Sequence, residues 1–137
     1  MASTLKINTL TGVSTAGSIA VTGEGNSTTT NLQQGLTKTW ASIKGTTSTE
    51  LLDSFNVASV SDDATGKSTI TITNDMTNDN YSTTTSAQEN TCVHAHTAVA
   101  AGSIQLQSRG SDNQTFTDVD HFGVQIAGDL ARAKRQN

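Results

Sequence analysis

The chain has 137 residues and a mass of 14.2 kDa, the size of one domain with an additional extended segment. Hydrophobic residues make up 33% of it, and Trp40, Phe55, Tyr81, Phe116 and Phe122 are the only aromatics, which excludes a large self-sufficient core. A net charge of −4 and a pI near 5.1 exclude a broad nucleic-acid surface, which needs positive charge to displace counterions. No apolar run approaches the roughly 20 residues of a membrane-spanning helix, so no membrane insertion is expected. Charged residues are 15% of the chain, too few for a typical disordered composition. The missing apolar mass is replaced by Thr, Ser, Asn and Gly, a mixture that reads as short strands joined by tight turns. So thin a core predicts burial against identical neighbours, that is, an obligate oligomer. Cys92 is the single cysteine, so no intramolecular disulfide is expected. Met1–Lys6 has no basic stretch leading into an apolar core, and no secretory leader is expected.

Residues 1–36 carry two short apolar pairs, Leu5/Ile7 and Ile19/Val21, each at the period-2 spacing of a strand. Small residues separate them, and Gly23–Ser27 with the following threonines reads as a loop. This segment cannot enclose a core, and it is expected to be an extended arm that pairs with another chain. From Thr37 the strand signals become denser. Thr37–Lys44 sets Trp40 on one face and Ala41/Ile43 on the other. Leu51–Val60 reads as one strand with Phe55 and Val57 in alternation. Ser61–Lys67 reads as a turn cluster, with Asp62 and Asp63 as turn residues. Ser68–Thr73 follows with Ile70/Ile72 inward, which predicts a β-hairpin around the turn. Asn74–Asn80 is a second turn region, followed by strands at Tyr81–Ser86 and Ser103–Ser108, the latter alternating Ile104/Leu106 with Gln105/Gln107. Phe122, Val124 and Ile126 form a last strand face closed by Gly128, and Asp129–Gln136 reads as a short helix. The expected fold is all-β, a small β-sandwich or jelly-roll-like domain over residues 37–129, with residues 1–36 as the arm and 130–137 as a basic tail.

The runs Gly35–Gly45, Asp53–Asp62 and Gly66–Ile72 carry a Lys38–Thr39–Trp40 strand, a Ser54–Phe55–Asn56 strand and an Asp/Gly hairpin. In that order they resemble a module of tail-fibre and appendage proteins from marine and cyanobacterial tailed phages and prophages. Asn74–Asp75–Met76 with Tyr81 is similar to the family's Met-to-Tyr turn, one residue longer here. Phe122–Asp129 is similar to its closing strand, with Ala127–Gly128–Asp129 where the family has Phe–Gly–Asp. Leu5–Leu10 and Ala16–Ile19 are similar to the virion-facing start of such proteins. The resemblance covers about three quarters of the chain and is weakest at Gln88–Gly102. It implies a structural virion protein, a homotrimeric tail fibre or appendage module that contributes to host attachment. Its location would be the tail or the capsid surface, its partners other virion proteins and a host-surface glycan. The alternative is a capsid decoration or cement protein. A polysaccharide-degrading enzyme is a more distant third, because no nucleophile elbow, zinc-protease helix or phosphate loop is present and no enzyme activity is expected.

Cys92–Val93–His94–Ala95–His96 is the most chemically loaded segment. In an extended strand Cys92, His94 and His96 share a face, and around a threefold axis their thiolates and imidazoles would suit a transition metal. Against this, no carboxylate stands beside them, which favours histidines without a ligand role and a chain without a cofactor. Asp118 and Asp120 share a face if extended, but an aspartate-rich turn before a strand is ordinary and the EF-hand glycine and glutamate are missing. Partner contacts are expected from Leu5, Ile7, Ile19 and Val21 in the arm, and from Arg132, Lys134 and Arg135 docking on an acidic surface. A solvated terminus is the plainer account of those three cations. Trp40 suits either a sugar platform or a packing anchor, and the shortage of large apolar side chains favours the anchor. Host contacts would come from outward loops at Thr46–Glu50, Asn74–Asn80 and Gln88–Gly102.

Overall fold

Alternating isoleucine and threonine gives strands one apolar and one polar face, and the fold follows from that pattern. It is seen in a computed structural model that describes residues 4–12, 19–23, 28–46, 48–88, 92–110 and 115–131, with side chains at 33–34 and 92–97 outside that set. The chain divides into two units, Met1–Leu36 and Thr37–Asn137.

In the first unit β1 (Ala20–Thr22) pairs antiparallel with β2 (Thr29–Asn31), and one helical turn, α1 (Leu32–Gly35), follows. Gly23 N–H donates to Thr28 O at 2.8 Å to close the hairpin, and Leu32 N–H donates to Ile19 O at 2.9 Å. The threonines after Asn26, expected in a loop, instead supply the partner strand, since β-branched side chains suit a ladder once Val21 offers one. Leu5 and Ile7 belong to no strand, although their spacing fits one: residues 4–12 lie in no ladder.

The second unit is an all-β sandwich of two antiparallel four-stranded sheets. One has the order β4–β3–β10–β7 and the other β5–β6–β9–β8. The strands are β3 (Thr39–Lys44), β4 (Glu50–Phe55), β5 (Val57–Ala64), β6 (Lys67–Ile72), β7 (Ser82–Ala87), β8 (Cys92–Ala100), β9 (Ser103–Arg109) and β10 (Phe122–Ala127). Ala41 and Ile43 from β3, Ile70 and Ile72 from β6, Ile104 and Leu106 from β9, and Phe122, Val124 and Ile126 from β10 meet between the sheets, joined by Met76 and Val119. Each fully buried aliphatic side chain here contributes about 1.5–3 kcal/mol. Central strands are the apolar ones; the edge strand β7, Ser–Thr–Thr–Thr–Ser–Ala, shows one exposed face.

Several expectations are corrected by local chemistry. Leu51–Val60 is two strands, because Asn56 adopts the left-handed conformation (φ 60°) and the chain crosses there from one sheet to the other. Phe55, the last residue of β4, faces outward, 55% exposed, while Val57 at the start of β5 packs against the core. The Asp/Gly hairpin forms as β5–β6, but its turn is only Thr65–Gly66, with Gly66 at φ 65°. Asp62 and Asp63 are strand residues beside a register shift. Gln107 keeps its place in the alternation of β9 but is buried (3% exposed). Asp129–Ala131 does not begin a helix: Leu130 bridges Met76, Thr77 N–H donates to Asp129 O and Ala131 N–H donates to Asp75 O, both at 2.8 Å. Extended pairing satisfies backbone groups that a frayed terminal turn would leave to water. Gln88–Gly102, expected as a loop, is largely the strand β8.

Candidate functional site

Period-2 alternation along β3 points Thr39, Ala41 and Ile43 inward and leaves Trp40, Ser42 and Lys44 on the outer face. Trp40 is therefore not the core anchor its size suggested; it is half-buried on the solvent side of the sheet. The register sets two parallel rows across that face. Phe55, Trp40, Gln125 and Thr84 stand opposite one another on β4, β3, β10 and β7; one step along, Asp53, Ser42, Gly123 and Ser86 do the same. Directly opposed side chains in an antiparallel ladder have Cβ atoms about 5 Å apart, so Trp40 and Phe55 leave the sheet at adjoining positions on this face. Phe55 joins this face because a bulge between Ser42 and Ile43 makes Leu52 the extra residue and resets the alternation of β4.

Beside Trp40 lies a shallow groove of about 210 Å³, lined by Trp40, Thr84, Ser86, Gly123 and Gln125, with Ala41, Thr85 and Val124 contributing at its floor. Gly123 keeps it open: a Cβ there would stand 3.0 Å from Ser86 Oγ. At the rim Ser42 Oγ and His121 Nε2 are 2.7 Å apart. The groove thus combines the Trp40 ring with hydroxyl and amide groups and no formal charge, and Phe55 occupies the adjoining position of the same row outside its lining.

The other sheet carries a polar cluster on its outer face. Asp63 accepts hydrogen bonds from Thr69 Oγ1 (2.6 Å), Gln105 Nε2 (2.9 Å) and Ser61 Oγ (3.0 Å). The Thr69 hydroxyl is the main reason its carboxyl lies below the usual aspartate value; burial opposes the shift, and Gln105 and Ser61 add to it. A carboxyl with a lowered folded value supports the fold above the unfolded value and loses that support as pH falls through the folded one. Thermal melts across pH should therefore show Asp63→Asn less stable at neutral pH and less sensitive to acidification below about pH 4. Nearby, Lys67 Nζ and the Arg109 guanidinium lie 4.6 and 4.5 Å from the Phe116 ring centre, two cation–π contacts that tie β6 and β9 to the Phe116 segment. Tyr81 donates to Ala100 O and Ser103 O, and burial, aided by the charge of Asp79, raises its hydroxyl.

The sequence-derived candidates take separate places. Cys92 and His94 pair through their backbones with Arg109 and Gln107, and His96 lies where the register shifts between Ala95 and Val99, so regular alternation is interrupted there. Their side chains are outside the described set, and among the described residues no three His, Cys, Asp or Glu side chains are grouped as metal ligands. Asp118 and Asp120 are not on a strand: Asp118 accepts from Gly66 N–H at 2.6 Å and Asp120 from Thr46 Oγ1 at 2.9 Å, as fasteners of neighbouring turns. Leu5, Ile7 and Val21 are exposed, the Ile19 carbonyl accepts from Leu32 N–H at the start of α1, and Arg132, Lys134 and Arg135 lie outside the described residues. The Trp40–Phe55 face was half legible: alternation around Ala41/Ile43 sends Trp40 outward, but nothing in the sequence marks Phe55 as its neighbour. Comparison with protein-family models, curated proteins and solved structures finds no match for this chain.

Proposed function

We propose that this chain is a non-enzymatic structural protein of a phage virion, a tail-appendage module that assembles as a homotrimer and contributes to host attachment. The observation that carries the reading is apolar exposure in the first unit. Leu5 is 80% exposed, and Ile7, Leu10 and Val21 are each about half exposed, in a segment whose described strands form one hairpin of three residue pairs. Such side chains gain most by burial against another subunit. The order of strand and turn signals shared with phage appendage modules supports the virion setting. The thin core supports a subunit that completes its burial by assembly.

Native mass measurement of the full chain should give a trimer, and Leu5→Asp with Ile7→Asp should shift it to monomer while leaving the sandwich's melting transition in place. A monomer before substitution would overturn the assembly. Immunogold labelling of virions should place the protein at the tail; label spread over the head would replace this reading with a capsid cement role.

A further inference from the structure

We propose that the outer face of the β4–β3–β10–β7 sheet is a saccharide-binding site, with Trp40 and Phe55 as the stacking platform and Gln125, Thr84 and Ser86 as the hydrogen-bonding groups. The inference stands on this face alone and does not depend on the virion reading.

Phe55 is 55% exposed and Trp40 half-buried on the outer face, apolar surface that gains by being covered. The chain had alternatives: its core is filled by isoleucines, and its sole tryptophan stands on the outside. What can cover it is set by the lining. A second apolar surface would meet the exposed hydroxyls of Thr84 and Ser86 and the amide of Gln125 and strand them without water. An anionic ligand would meet Asp53, one row from Phe55, and no formal cation in the groove. A neutral pyranose satisfies both halves. Its axial C–H face lies against an indole with dispersion contacts, and its edge hydroxyls both donate to and accept from hydroxyl and amide groups. Gly123 provides the depth for a ring to settle beside Trp40 rather than sit on top of a flat sheet. The row continues from Trp40 to Phe55 across one strand spacing, about 4.8 Å, close to the length of one sugar residue, so a linear oligosaccharide running across the strands would stack on both rings. These contacts are made in open solvent, and monosaccharides are expected to bind at millimolar strength, with oligomers tighter.

Trp40 is the only tryptophan, so its emission reports directly on the groove. The full-length protein is titrated with methyl glucoside, methyl galactoside and methyl mannoside and with neutral linear oligomers of each sugar. Emission is followed together with calorimetry. At least one oligomer should bind and shift the emission, with affinity above its monosaccharide. Trp40→Ala should lower calorimetric affinity by about tenfold or more, and Gly123→Val should do so while leaving Trp40 in place. Thr71→Ala, on the outer face of the other sheet, should bind normally. Far-ultraviolet circular dichroism and melting of each variant separate loss of the groove from loss of the fold. Silence with every sugar, undiminished binding by Trp40→Ala, or an emission that changes on dilution because a second copy covers the face would each overturn the proposal.

Discussion

Gly66→Ala should cost about 3–4 kcal/mol, a large share of the roughly 5–15 kcal/mol that holds a domain this size. Two effects add. The left-handed backbone at φ 65° costs an alanine about 1–2 kcal/mol. The new Cβ would also stand 2.6 Å from Ser108 O, in the β9 backbone, and 2.8 Å from Thr117 N, which is hydrogen-bonded to that oxygen, and backbone atoms cannot swing aside as a side chain can. Yielding would break the Ser108 N–H bond to Gly66 O and the Gly66 N–H bond to Asp118, so the turn, β9 and the connector to β10 would loosen together. Urea unfolding of the two proteins measures it. Gly35→Ala, where nothing lies within 4 Å, is the control and should change stability little. A Gly66→Ala protein as stable as the parent would mean that this turn is not held in the left-handed region.

Asn56→Ala should cost about 2–4 kcal/mol. Its amide donates to Lys38 O (3.2 Å), Thr39 Oγ1 (3.1 Å) and Asn74 O (3.1 Å), and its carbonyl oxygen accepts from Asn74 N–H (2.8 Å) and Asn74 Nδ2 (3.0 Å). One side chain thus fastens the start of β3, the crossing between sheets and the turn after β6. At roughly 1 kcal/mol net per bond, with some shared, the hydrogen bonds account for most of the loss, and the left-handed backbone supplies the remainder. Three substitutions separate the parts. Asn56→Gly keeps the backbone and loses the bonds, so it should recover about 1 kcal/mol relative to alanine. Asn56→Asp keeps the acceptor toward Asn74 and loses the donor, and should fall between glycine and the parent. Equal stability of the alanine and glycine variants would remove the backbone's share.

The sandwich was legible because its central strands write their faces plainly. Ile70/Ile72, Ile104/Leu106 and Phe122/Val124/Ile126 alternate with polar residues, and each lies in the core. What the sequence concealed lies where one residue breaks the alternation. Asn56 turns one apparent strand into two in different sheets, and the bulge at Leu52 decides which face β4 presents; neither depends on hydrophobic pattern. Size and alternation disagree at Trp40: scarcity of large apolar residues favours a packing anchor, alternation sets it opposite Ala41 and Ile43, and the core is packed without it. The pairing of Asp129–Ala131 with Asp75–Thr77 is non-local and silent in composition.

The position of β10 also governs the order in which this protein can come into being. It is the last strand among the described residues but sits between β3 and β7, which begin 83 and 40 residues earlier. While the polypeptide is still emerging from the ribosome, β5, β6, β8 and β9 can assemble one layer, but its apolar face stays bare. The opposing layer is then only the β3–β4 hairpin and a solitary β7. Closure waits for Ala127, so folding should be late, slow and all at once. The serine and threonine that fill β7, and the interruption of every isoleucine by a polar neighbour in β6, suit a nascent chain that must wait in water without sticking to its copies.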